Sequence, residues 1–207
     1  MPLPAHSLTI SGGCNCRAIR YQIDIPAREH RPLRFSGDAN RLGEETRVPM
    51  IATDHCNDCR RATGSLLPAW ICTPISMVSI LCIPRSNDDH AEGPWRSARE
   101  VLQQPIAAAA GGDTFLAFYE SSEARRRGFC VKCGTNLMYY LDAPEDGWAD
   151  MLDVALGTVD QEQLAKGELA PERQLWWDCG IDWIKEMTVG GMGQLPRHPT
   201  YKAKEVV

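Results

Sequence analysis

Six of the nine cysteines fall in three close pairs, Cys14-Asn-Cys16, Cys56-Asn-Asp-Cys59 and Cys130-Val-Lys-Cys133, separated by tens of residues. Thiolates at this spacing can share an ion. Zinc favours four tetrahedral ligands with sulfur prominent among them, and a short spacing places two sulfurs on one turn, so two such turns complete one site. A lone Cys-x-x-Cys also serves redox chemistry, but three pairs on three predicted turns point to metal. Gly134, directly after the third pair, suits a backbone with φ > 0 that lets amides point at sulfur. Six thiols exceed one four-cysteine site, and spacing alone does not say which two pairs combine. The pair left over would leave an ion with an open position, which separates catalytic from structural zinc. Only the middle segment, Thr53-Asp54-His55-Cys56-Asn57-Asp58-Cys59-Arg60-Arg61, has spare ligands, Asp54 and His55, beside its cysteines. Cys72, Cys82 and Cys179 sit singly in apolar or aromatic surroundings and read as packing residues.

The elements that must position these thiols read as strands. Ile19, Tyr21, Ile23 and Ile25 alternate with Arg20, Gln22 and Asp24, the period-two pattern of a half-buried strand. Leu8 and Ile10 suggest an incoming partner, so the glycine-rich segment 11–16 predicts a hairpin with two thiols at its tip. Phe115, Ala117 and Tyr119 alternate into a second unit, Gly128 to Gly134 reads as its turn, and Leu137, Tyr139 and Leu141 alternate out. The third thiol-bearing turn is Thr53 to Cys59. Three hairpin-like units predict a mainly β fold of antiparallel sheets with few short helices. The best helix signal is Asp160 to Lys166, with Asp160 as cap and Gly167 as stop. Residues 85–112 read as a loop insertion, and the chain from Gly190 on as a frayed tail. Trp176, Trp177 and Trp183 read as residues that close a core.

At 207 residues the chain fits one domain with elaborations and is long enough to bury a core without disulfides. A net charge of −5 gives no global field for nucleic acid or anionic lipid, so no nucleic-acid partner is expected. The start, Met1 to His6, has neither the charged nor the apolar region of a signal peptide. The sequence therefore predicts a cytoplasmic protein with reduced thiols. Ala62 to Pro84 carries no charge and is long enough to cross a bilayer. Pro68, Pro74 and Pro84 would break the required helix, and the runs Leu66 to Cys72 and Ile75 to Ile83 suit buried strands instead. No membrane span is expected.

At the cysteine motifs the sequence resembles the family of glutathione-dependent formaldehyde-activating enzymes and centromere protein V. The matching segments are Gly13-Cys14-Asn15-Cys16 with Ile19-Arg20-Tyr21; His55-Cys56-Asn57-Asp58-Cys59-Arg60-Arg61-Ala62-Thr63-Gly64-Ser65; and Phe129-Cys130-Val131-Lys132-Cys133-Gly134-Thr135-Asn136-Leu137. Tyr119-Glu120-Ser121-Ser122 and Gly157-Thr158-Val159-Asp160 are further echoes. The resemblance spans roughly residues 8 to 180, and implies a domain over 8–185 with a C-terminal tail over 186–207. It implies a β-tent fold of paired antiparallel sheets, a structural zinc on Cys14, Cys16, Cys130 and Cys133, and a second, catalytic zinc on the middle motif. The family pattern there reads Cys-His-Cys-x-x-Cys, and Asp54 stands at the first of those positions. Two thiolates with a carboxylate carry the same charge as three thiolates, and carboxylate is an established if harder zinc ligand. The expectation is a retained but weaker second site on Asp54, Cys56 and Cys59, with His55 as the alternative ligand, or Asp54 as no more than a turn cap.

The implied chemistry is that of a carbon–sulfur lyase acting on an adduct of a thiol such as glutathione and an aldehyde such as formaldehyde, S-hydroxymethylglutathione being the example. Zinc can hold a thiol as thiolate near neutral pH or polarise a carbonyl oxygen. Glutathione carries two carboxylates, so Arg60 and Arg61 are candidate anchors, with Arg125, Arg126 and Arg127 as a second cluster. The alternatives are an enzyme of the same kind using another thiol or electrophile, and a zinc-stabilised binding module without catalysis. Against the module, the only dense basic run is three arginines.

Overall fold

The computed structural model describes residues 3–33, 47–87, 93–103, 112–142 and 150–191. In chain order the elements are β1 (Leu8–Gly13), β2 (Ile19–Ile25), β3 (Met50–Asp54), α1 (Asn57–Thr63), β4 (Ala69–Pro74), β5 (Val78–Cys82), β6 (Trp95–Ser97) and α2 (Ala98–Leu102). There follow β7 (Leu116–Ser122), β8 (Arg125–Cys130), β9 (Asn136–Leu141), β10 (Met151–Ala155), α3 (Gln161–Leu164), β11 (Arg173–Leu175) and α4 (Asp182–Glu186). The fold is mainly β. A four-stranded antiparallel sheet has the order β1-β2-β5-β6, and a seven-stranded sheet the order β11-β3-β4-β10-β9-β8-β7. The latter is antiparallel except at its edge, where β11 runs parallel to β3.

The alternation in β2 does what its period requires. Ile19, Tyr21, Ile23 and Ile25 are buried while Arg20, Gln22 and Asp24 are not. They enter one apolar core shared with Ile10 and Ile80 of the same sheet and Ile51, Ile71, Leu152, Val154 and Met138 of the other. Burying each such side chain is worth about 1.5–3 kcal/mol, which is what presses the two sheets together. β1 and β2 form the expected hairpin, with Gly13 opposite Arg20.

The uncharged stretch supplies the two strands expected of it, β4 and β5, which enter different sheets and are joined by a 3₁₀ turn at Ile75–Met77. Among the described residues no helix is long and apolar enough to cross a membrane. The stretch 85–112 is more than a loop: β6 extends the four-stranded sheet through β5, and Ala98, Val101 and Leu102 of α2 are buried, with 88–92 and 104–111 outside the described residues. Asp160 precedes α3 but makes no side-chain cap; its carboxylate binds Arg20 instead, at 2.9 and 2.5 Å. Of the C-terminal tail, α4 continues into one further helical turn at Met187–Gly191, and residues 192–207 lie outside the described set. Trp176 and Trp183 are 64% and 50% exposed, Trp177 is also exposed, and Cys179 among them is exposed. These aromatics cap no core, so Cys179 is not a packing residue. Cys72 is buried against Met50 and Trp70, and burial pushes the Cys82 thiol up to about 12.

Candidate metal centres

Two turns far apart in sequence meet at the first centre. The turn after β1 supplies Cys14 and Cys16, and the end of β8 with its following turn supplies Cys130 and Cys133. Their four Sγ atoms lie within 4.8 Å of one another, with Cys14 and Cys16 3.5 Å apart and Cys16 and Cys130 3.7 Å apart. Sulfurs at ~2.3 Å around a tetrahedral ion have edges of about 3.8 Å, so the set has the dimensions a thiophilic metal requires.

The backbone supports the thiols. The Ile19 amide donates to Cys14 Sγ at 3.3 Å, and Gly134, at φ +75°, lets its amide reach the Cys130 carbonyl at 2.8 Å. The Asn15 amide donates to Thr135 Oγ1, which lies 3.1 Å from Cys133 Sγ and so ties the two turns together. Burial pushes Cys14 and Cys130 up. Burial also works against ionisation of Cys133, but the Thr135 hydroxyl and the amides of Thr135 and Cys16 outweigh it and bring that thiol down to about 6. Four clustered thiols do not all ionise unaided, and a bound cation is what displaces their protons.

The second set is Asp54, Cys56 and Cys59, whose ligand atoms also lie within 4.8 Å of one another. The middle motif is not a hairpin turn. Asp54 ends β3, Cys56 is the N-cap of α1, and Gly64 at φ +70° stops that helix. Asp58 in its first turn and Arg60 and Arg61 in its last suit the helix dipole. The helix is pinned to β9 by Asn136, whose Nδ2 donates to the Ala62 carbonyl at 2.7 Å. Asp54 is 3% exposed, accepts the Cys56 amide on Oδ1 at 2.8 Å and the Trp70 indole N–H on Oδ2 at 3.0 Å. It therefore caps the turn and faces the thiols at once, since each carboxylate oxygen has a further lone pair.

His55, the alternative ligand, is turned away from this set. Its Nε2 lies 2.9 Å from Gln174 Oε1 and its ring meets Trp177 edge-on at 5.1 Å. Thr53, Glu172, Gln174 and Trp177 line a cavity of about 630 Å³. Because strand neighbours point to opposite faces, that cavity lies across β3 from Asp54.

Of the arginines, Arg60 donates to Asn57 Oδ1 at 2.8 Å and Arg61 is exposed on α1. The second cluster forms the first half of β8. Its Arg127 is buried, donates to Cys59 Sγ at 3.3 Å and lies over the Tyr139 ring at 5.0 Å. Burial pushes the Cys59 thiol up, Arg127 pulls it down, and Asp54 pushes it up again; the net direction is upward. Trp70 and Arg127 complete the centre from β4 and β8, and only three-dimensional pairing brings them there. The chain matches no protein-family model and no curated protein.

Proposed function

We propose that the chain is a zinc-dependent carbon–sulfur lyase of the glutathione-dependent formaldehyde-activating kind, acting on an adduct such as S-hydroxymethylglutathione. The observation that carries this is the division of the ligand groups into a complete four-thiol set and a separate set of three donors, Asp54, Cys56 and Cys59, one short of a tetrahedral four. The first set would hold a structural zinc and the second a catalytic one. Bound there, zinc would supply Lewis acidity towards oxygen or sulfur.

Cleavage of the adduct breaks its carbon–sulfur bond and moves the hydroxyl proton to sulfur, releasing thiol and aldehyde with no oxidant. Asp54 is held by Trp70 and Cys56 and so keeps its oxygens fixed. Arg60, one helical turn after Cys56, and Arg61, exposed on the same helix, would anchor the substrate carboxylates.

Exchange spectroscopy on a mixture of formaldehyde and glutathione tests this. The metal-replete protein is expected to speed interconversion of the adduct and its parts; an unchanged rate with both centres filled would remove the formaldehyde reading. The second reading, a binding module without catalysis, is favoured by the exposed Trp176, Trp177 and Trp183, and that null result would leave it standing.

A further inference from the structure

Arg127 is 4% exposed, whereas its neighbours Arg125 and Arg126 are less deeply buried. It sits on β8 in register with Tyr139 of β9 and Tyr119 of β7. A buried guanidinium is costly unless a counter-charge faces it. Here it aims an N–H at Cys59 Sγ from 3.3 Å, and a neutral thiol is a weak acceptor. The oxygen of Asp54 and the sulfur of Cys56 lie within 4.8 Å of that same atom. Three donors that ligate as anions repel one another at such distances, and a fixed cation at their edge offsets the repulsion.

The geometry points to Arg127 as a positioning residue of the second metal centre: it holds Cys59 Sγ in place and balances the donor set, so that Asp54, Cys56 and Cys59 stay assembled for a thiophilic divalent cation. The inference rests on the reading of those three residues as ligands, and adds a fourth residue from a strand outside the middle motif. Arginine suits the task better than lysine. Its planar group stacks on Tyr139, 5.0 Å from the ring centroid, and so presents an edge N–H in a fixed direction to the sulfur.

Cobalt titration of metal-free wild type, Arg127→Gln and Arg127→Lys is the test, because cobalt–thiolate absorption reports each donor set separately. Wild type is expected to take two cobalt ions per chain. Arg127→Gln is expected to keep the four-thiol spectrum and bind the second ion 10- to 100-fold more weakly, the usual loss when the partner of a ligand is removed. Arg127→Lys, which restores charge without the planar fork, is expected to fall between the two. Equal second-site affinity in wild type and Arg127→Gln overturns the role of Arg127 while leaving the centre intact. One ion in wild type overturns the centre and this inference with it. Should Arg127→Gln fail to fold, shown by loss of the four-thiol spectrum, Arg127→Lys decides, and wild-type affinity in that variant overturns the inference. Formaldehyde and glutathione are absent throughout, so a catalytically silent protein leaves the outcome readable.

Discussion

The indole N–H of Trp70 donates to the Asp54 carboxylate at 3.0 Å, from β4 to the end of the adjacent β3. Both groups are buried. Removing the donor leaves a buried carboxylate oxygen short of a partner, a loss of about 1–3 kcal/mol. Trp70→Phe is therefore expected to lower the thermal midpoint and to weaken the second metal centre while the first keeps its ion. Thermal denaturation with metal counting checks this, and an unchanged midpoint would contradict it.

Asp54→Ala removes a donor from the second set and none from the first. The expected result is a fall from two metal ions per chain towards one, with the four-thiol centre filled. Cys56→Ser is expected to do the same. Unchanged stoichiometry and affinity in Asp54→Ala would show that the carboxylate only caps its turn.

Arg20 donates to both oxygens of Asp160 and so holds that carboxyl below its ordinary value of 3.8. A carboxyl depressed in the folded state adds stability above its unfolded value, and that stability is lost as pH falls through the folded value. Both partners are partly exposed, so the pair is worth less than about 1 kcal/mol. Asp160→Asn is expected to be less stable than wild type at neutral pH, with the gap closing below about pH 4 as the wild-type carboxyl protonates. Urea titrations at several pH values measure it; a gap that widens in acid would refute the assignment.

Gly128 lies in β8, paired on both sides. A Cβ there would stand 2.7 Å from Met138 Cγ and 2.9 Å from Phe118 Cε1. Gly128→Ala is expected to cost about 1–3 kcal/mol by overpacking, measured as a fall in the denaturation midpoint. An unshifted midpoint would mean that Met138 and Phe118 move aside freely.

The strands that alternate strictly were legible. β2 has one face in the core and one outside it, so its period survives in the sequence. β8 was hidden because three consecutive arginines, Arg125 to Arg127, show no apolar alternation, and only the approach of Tyr139 and Cys59 in three dimensions shows why one of them is buried. α1 was masked by its own cysteines, although Asp58 near its start, two arginines near its end and Gly64 after it are ordinary helix signals. β6 and β11 are three residues long, too short to show a period. Trp176 and Trp183 are exposed although aromatic clusters more often close a core, and nothing in their spacing marks the difference. The short spacings marked which thiols could ligate; that Asp54 faces them while His55 turns to Gln174 follows from Asp54 lying on the Trp70 side of β3.

Cys16 and Cys130 are 114 positions apart yet 3.7 Å apart in space. The first centre is therefore also the clasp of a long loop, and β3, α1 and β4, which carry Asp54, Cys56, Cys59 and Trp70, all lie inside it. During synthesis its N-terminal half must wait, with two exposed thiols, until the turn after β8 has left the ribosome. Closing a loop of this length removes several kcal/mol of chain entropy by the polymer estimate of ~4–5 kcal/mol for loops near 100 residues. A chelator that strips only the four-thiol cluster would thus remove this closure from around the segment that builds the other site, and weaker binding of a second ion would follow although the two ligand sets share no residue.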